Sequence, residues 1–166
     1  MDDTRYYGDK NSDNSRSGPI AAVEAECFPA AEAATKEEFA ERIKYYGNHF
    51  WLMFEGEKLI VVVDGFVTNK PDPTDEMYER AEMHDENGAW QMIFGVNTIR
   101  HTGNMAMRDS CSSAPSRMLR KQGRKGLVLT CKEKLIAYYA KFGFENEGIS
   151  ESVHGNVTWY QMRYEF

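Results

Sequence analysis

Between Gly126 and Phe144 the sequence fixes the order of three elements. Gly126-Leu-Val-Leu-Thr-Cys131 is a short apolar run bounded by polar residues and reads as a buried strand. Lys134-Leu-Ile-Ala-Tyr-Tyr-Ala-Lys-Phe-Gly-Phe144 follows as an amphipathic helix with Gly143 placed as its cap, and a second strand starts at Phe144. A strand–helix–strand unit of this kind restricts the chain to folds in which helices cover a sheet.

The rest of the chain supplies the other layers. The periodicity predicts a helix over residues 20–27 with Ile20, Val23 and Cys27 on one face, stopped at Phe28-Pro29. Thr35-Lys-Glu-Glu38 is a capping-box sequence, and the helix it opens puts Phe39, Ile43 and Tyr46 on one face before Gly47. Residues 50–54 and 59–67 read as antiparallel strands around the turn Glu55-Gly-Glu57. The continuous apolar character of 59–67 predicts burial on both faces. Residues 69–74 carry two prolines and read as loop, 75–84 as a short acidic helix, Asn87-Gly88 as a turn and 90–99 as a third strand. Residues 157–166 alternate aromatic and polar residues as a last strand, which either closes its own sheet or pairs with a second subunit. This order gives an α/β (α+β) class, with a mixed central sheet and helices on both faces.

Two stretches resist this scheme. Residues 1–18 are polar, without clear periodicity, and read as a frayed end. Residues 100–119 occupy the place of a crossover helix, yet they are poor in helix formers and carry Ser112-Ser113 and Pro115.

With 166 residues the chain is expected to form one domain with a sizeable core. A net charge of −6 argues against nucleic acid as the main partner. The one basic cluster, over residues 117–125, reads as a solvated helix face and loop. No apolar run reaches the roughly 18 residues of a membrane span, and the N-terminus lacks the apolar core of a signal peptide. Cys27, Cys111 and Cys131 have no metal-ligand spacing and cannot all pair, so the simplest expected compartment is the cytoplasm. Cys131 reads as a buried structural thiol rather than a nucleophile.

The strand, helix and Phe142-Gly-Phe144 unit resembles the acceptor-side half of the GNAT superfamily of acetyl-CoA-dependent N-acetyltransferases. Glu26-Cys-Phe-Pro-Ala-Ala-Glu-Ala-Ala34, followed by Phe39 and Arg42, resembles the first substrate loop and helix of the serotonin (arylalkylamine) N-acetyltransferase group. The resemblance implies a splayed strand pair holding acetyl-CoA, and transfer of its acetyl group to a primary amine of a small molecule by direct attack on the thioester. Val96, Asn97 and Thr98 would take the pantetheine arm. Gly103, Ala106, Met107 and Arg108 would occupy the pyrophosphate loop, and Cys131, Leu135 and Tyr138 would line the cofactor. Tyr139 matches the general acid, whose phenol, with an unperturbed pKa of about 10, suits a leaving thiolate. Phe28, Pro29 and His154 would face the acceptor. That group's histidine pair is replaced by Met92 and Phe94. Glu32, His84, His154 or water are then the proton acceptors to weigh. The implied protein is a monomer or homodimer without nucleic acid, membrane or metal.

The pyrophosphate loop departs from the family pattern Arg/Gln-x-x-Gly-x-Gly/Ala, retaining only Gly103. A one-base shift opening near Arg100 and undone near Arg120 gives a glycine in the slot of Ala106 and an alanine in the slot of Arg108. With arginine allowed in the slot of Gly103, the pattern is restored. Residues 100–119 therefore read as a frameshifted stretch, the alternative being a genuine loop insertion. Three functions follow: an active small-amine acetyltransferase, a degenerate acetyltransferase-fold binding module without cofactor, and a protein-modifying acetyltransferase. The Cys-Phe-Pro loop and the acidic stretch 72–86 favour a covered small-molecule pocket over the third.

Overall fold

The computed structural model describes residues 16–99 and 114–166, with the side chains of residues 114–116 left aside. The chain divides into two compact units, one built from residues up to Gly65 together with the segment from Gly95, the other from Phe66–Phe94 and the C-terminal part.

The first unit opens with helix α1 (Ser17–Cys27), which starts earlier than the periodicity predicts. It ends where Phe28 turns extended ahead of Pro29. Helix α2 (Lys36–Tyr46) begins at the expected capping box: Glu38 N donates to Thr35 Oγ1 at 3.2 Å and Thr35 N donates to Glu38 Oε2 at 2.6 Å. Phe39, Ile43 and Tyr46 form its buried face, as their spacing predicts. Strands β1 (Phe50–Glu55) and β2 (Lys58–Asp64) pair antiparallel around Gly56, whose φ of 61° is the left-handed turn conformation that glycine adopts without strain.

The second unit contains β3 (Val67–Thr68), helix α3 (Asp75–Glu79), β4 (Trp90–Ile93), helix α4 (Ala114–Lys121), β6 (Gly126–Cys131), helix α5 (Ile136–Ala140), β7 (Glu145–Ile149) and β8 (Tyr160–Glu165). Strand β5 (Gly95–Thr98) belongs to the first unit. The sheet orders are β1-β2-β5 and β3-β4-β6-β8-β7. Strand β6 runs parallel to β4 and antiparallel to β8, and β8 lies inside its own sheet between β6 and β7.

Two expected strands are each split. The apolar run 59–67 breaks after Asp64, and Val67 pairs with Gln91 in the other sheet. The run 90–99 breaks at Phe94 into β4 and β5. The expected acidic helix is α3 followed by one 3-10 turn at Ala81–Met83. The helix expected from Lys134 opens as a 3-10 turn (Glu133–Leu135) before α5, and Gly143, at φ 96°, caps it as read. The end of the atypical segment is helical after all. Pro115 sits in the first turn of α4, where its missing N–H costs little, and Leu119 is buried at 1% exposure. Among the described residues no helix is long and apolar enough to cross a membrane.

Gly126 sets the closest approach in the second sheet. A Cβ added there would stand 2.1 Å from the Tyr164 carbonyl oxygen and 3.0 Å from Glu165 Cα. Both obstacles are backbone, so β8 itself would have to move. Gly126→Ala is expected to cost about 1–3 kcal/mol. An unchanged midpoint in urea denaturation would contradict this packing.

Candidate functional site

Among the described residues of the first unit, strand β5 is the edge of its sheet, with β2 as its ladder neighbour. The register pairs Asn97 with Val62 and Gly95 with Asp64, and Ile99 N donates to Ile60 O at 2.9 Å. In an antiparallel pair the hydrogen-bonded residues alternate with residues whose N–H and C=O point outward. Gly95, Asn97 and Ile99 therefore bond toward β2, and the backbone groups of Val96 and Thr98 face the outer edge. The Cys27 thiol donates to the Thr98 carbonyl at 3.4 Å, which ties the end of α1 to that edge. Burial pushes the Cys27 thiol up, against the lowering effect of that hydrogen bond.

Beneath the strand lies a buried polar network. Asn97 Nδ2 donates to Glu24 Oε2, and Ala34 N donates to Glu24 Oε1 at 3.3 Å. Arg42 Nη1 lies 3.3 Å from Asp64 Oδ2. Glu24, Arg42, Asp64 and Asn97 are all under 9% exposed. Burial pushes the Asp64 carboxyl up to about 6, with Arg42 opposing, and it also raises Glu24. Asn97, expected with its neighbours to take the pantetheine arm, has its side chain fully buried within this network. Phe28 is half-buried and Pro29 exposed in the turn that follows α1, where Glu32 N and Ala33 N donate to Pro29 O. The side chain of Glu32 is half-buried in the same turn.

In the second unit the parallel ladder of β4 and β6 runs from Trp90↔Gly126 to Ile93↔Leu129. Thr130 and Cys131 continue in register with β8 alone. The Thr130 hydroxyl is 3.1 Å from the Tyr78 phenol. The Tyr78 ring lies 4.5 Å from Phe94 and stacks on His154 at 6.2 Å. His154 itself is exposed, and its carbonyl accepts from Trp159 Nε1 at 2.8 Å. Tyr139 is the buried member of the tyrosine pair, at 6% exposure, edge-on to Phe144 at 5.8 Å. Tyr138 is half-buried and Leu135 exposed. Cys131 is buried, and desolvation pushes its thiol up to about 11, which fits the structural reading. His84, considered as a base, has both ring nitrogens engaged: Nδ1 accepts from Val67 N at 3.0 Å and Nε2 meets Glu86 Oε2 at 2.8 Å. It pins the loop before β4. Gly103, Ala106, Met107 and Arg108 lie outside the described residues, as does most of the stretch read as frameshifted.

The sequence reading missed Glu24, Asp64 and Tyr78. The first carries a signal in hindsight: Glu24 stands four residues after Ile20, on the apolar stripe of α1.

No family model matches the chain, and no curated protein matches it. Solved structures do. The loading GNATL domain of CurA from Lyngbya majuscula is 13% identical and aligns at a TM-score of 0.69, over 97% of this chain and 96% of that one. The GphF GNAT-like decarboxylase in complex with isobutyryl-CoA is 15% identical at 0.70, over 93% and 96%. The chain has the GNAT fold. A GNAT-family acetyltransferase from Listeria monocytogenes 4b F2365 aligns at 0.64 with 12% identity, over 93% of this chain and 92% of that one. At such identities the GNAT likeness is one of architecture, so the chemistry has to be argued from the site itself.

Proposed function

We propose that the protein transfers an acetyl group from acetyl-CoA to a primary amine of a small molecule. The observation that carries this reading is the β5 edge, where the outward backbone groups of Val96 and Thr98 match the alternating amides of a pantetheine arm. Support comes also from a fold neighbour, the GphF GNAT-like decarboxylase, solved in complex with isobutyryl-CoA. In this reading the arm adds to β5 as an extra strand would, and Thr98 O exchanges its weak thiol donor for an amide N–H. The amine nitrogen attacks the thioester carbonyl carbon, a C–N bond forms, and the C–S bond breaks. The ammonium proton leaves before attack, and the departing thiolate takes up a proton, the role proposed for Tyr139. Phe28, Pro29 and His154 are proposed to face the acceptor.

A titration of acetyl-CoA followed by thermal unfolding tests this directly. At about a hundred times the dissociation constant, the ligand adds roughly 2.7 kcal/mol, which for a chain of this size raises Tm by roughly 5–10 °C. A folded protein with no shift would overturn the reading. The degenerate binding module would then lead, favoured by a pyrophosphate segment that keeps only Gly103 of the family's small residues.

A further inference from the structure

Among the described residues, the buried network below β5 holds more negative charge than its one cation balances. Two carboxyls, Glu24 and Asp64, face one guanidinium, Arg42. Both oxygens of Glu24 accept hydrogen bonds, one from Asn97 and one from Ala34 N. Among the described residues, Asp64 accepts at Oδ2 alone, from Arg42. Asp64 Oδ1 and Asn97 Oδ1 are buried acceptors with no donor among the described residues. The Asp64, Asn97 and Glu24 side chains converge where Gly95 lacks a side chain. A Cβ there would meet Asp64 Oδ1 at 3.0 Å, Asn97 Nδ2 at 3.6 Å and Glu24 Oε2 at 3.7 Å. A buried, unpartnered acceptor such as Asp64 Oδ1 beside a second carboxylate is where an added proton is favoured, because a protonated carboxyl is neutral and becomes a donor.

We propose that Glu24 is a positioning residue for the β5 edge, and that its hold there is coupled to one titrating proton on Asp64. The clamp reaches two places. Through Asn97 it fixes the strand whose outward groups flank that residue, and through Ala34 N it fixes the loop after Phe28-Pro29. With the proton bound, the network carries one net carboxylate against Arg42. Without it, two buried carboxylates repel each other, and the Glu24 hold on Asn97 and Ala34 weakens. Among the described residues, the other ionisable groups that interact with these side chains are Cys27 on α1 and Glu38 and Tyr46 on α2, while Lys36 and Lys44 of α2 are exposed. Strand β5 contributes none. Arg42 is the only buried cation among the described residues of these elements, and it is already engaged with Asp64.

The direction of the pH effect follows from the raised carboxyl. A folded-state pKa above the unfolded value means that the proton-bound arrangement is complete at low pH and is lost as pH rises through about 6. This inference bears on the proposed acyl-CoA edge, but its test needs no ligand. Carboxyl carbon and amide NMR shifts of the protein are followed from pH 5 to pH 8, for the native chain and for Glu24→Gln. The expected result is a coupled titration of Glu24 and Asp64 with a step near pH 6. The Asn97 side-chain amide, Ala34 N–H and the backbone amides of Val96 and Thr98 should shift with the same midpoint. In Glu24→Gln that step should vanish from all four amides while the fold persists. Carboxyls that titrate independently at ordinary values would overturn the proposal, as would Val96 and Thr98 amides that ignore the step. Acetyl-CoA added at pH 5.5 and at pH 8 separates the two readings: binding at neither pH speaks against the acetyltransferase alone, since the coupled titration is read without it.

Discussion

Arg42→Ala is expected to cost about 3–5 kcal/mol of stability, the typical penalty for leaving one partner of a buried ion pair behind. The guanidinium is under 9% exposed and Asp64 is fully buried, so no solvent replaces the lost contact. Burial works against the charge on Arg42, but its neighbours Tyr46, Asp64, Glu24 and Glu38 outweigh it and hold the guanidinium charged. Arg42 also lies 5.1 Å from the Phe39 ring centroid, so truncation removes packing as well. The loss should be larger at pH 8 than at pH 5, because protonation relieves the orphaned carboxyl. Arg42→Met combined with Asp64→Asn should recover part of the stability, since it removes the orphaned Asp64 charge and leaves only the Glu24 carboxyl, held by Asn97 and Ala34 N, without its cation. Urea denaturation of the single and double variants at both pH values checks this. A single variant within 1 kcal/mol of the native chain would show that the pair is not a structural element of the first unit.

Tyr139→Phe is expected to lower kcat for the proposed amine acetylation by about 10²–10⁴-fold, the range for removing a positioned general acid, which is the role proposed for this phenol. The ring is what packs edge-on against Phe144, and phenylalanine keeps it, so thermal stability should change little. KM for acetyl-CoA should hold, because the phenol is asked to act on the leaving thiolate rather than in ground-state binding. Steady-state rates beside a melting curve separate the possibilities. An unchanged kcat would reduce Tyr139 to a packing residue.

The sequence carried those parts of the architecture that depend on local chemistry. The capping box at Thr35 and Glu38, the turn at Gly56 and the cap at Gly143 each need a particular residue, and each is found where it was read. The β6–α5–β7 unit was legible because its apolar period switches from strand to helix and back. The strand breaks at Asp64 and Phe94 were not, because an apolar run reads the same whether its two ends lie in one sheet or in two. The buried network was hidden for another reason. Glu24 and Arg42 read as solvent-facing charges until their helical phase is compared with the apolar stripes they interrupt. Asp64 ends a strand and has no phase to betray it. The edge-facing backbone of Val96 and Thr98 depends on register, which no single residue type encodes.

The two strand breaks also impose an order on the molecule's birth. Strand β2 is apolar from Leu59 to Val63, and in the finished protein β5 covers one of its sides. The whole stretch from Gly65 to Phe94 has to leave the ribosome before β5 exists. Until then the nascent chain carries a sticky, half-finished ribbon. The same reasoning limits dissection of the gene: a fragment that stops short of Gly95 keeps both helices and the first hairpin, but it inherits the open side of β2 and with it a tendency to self-associate.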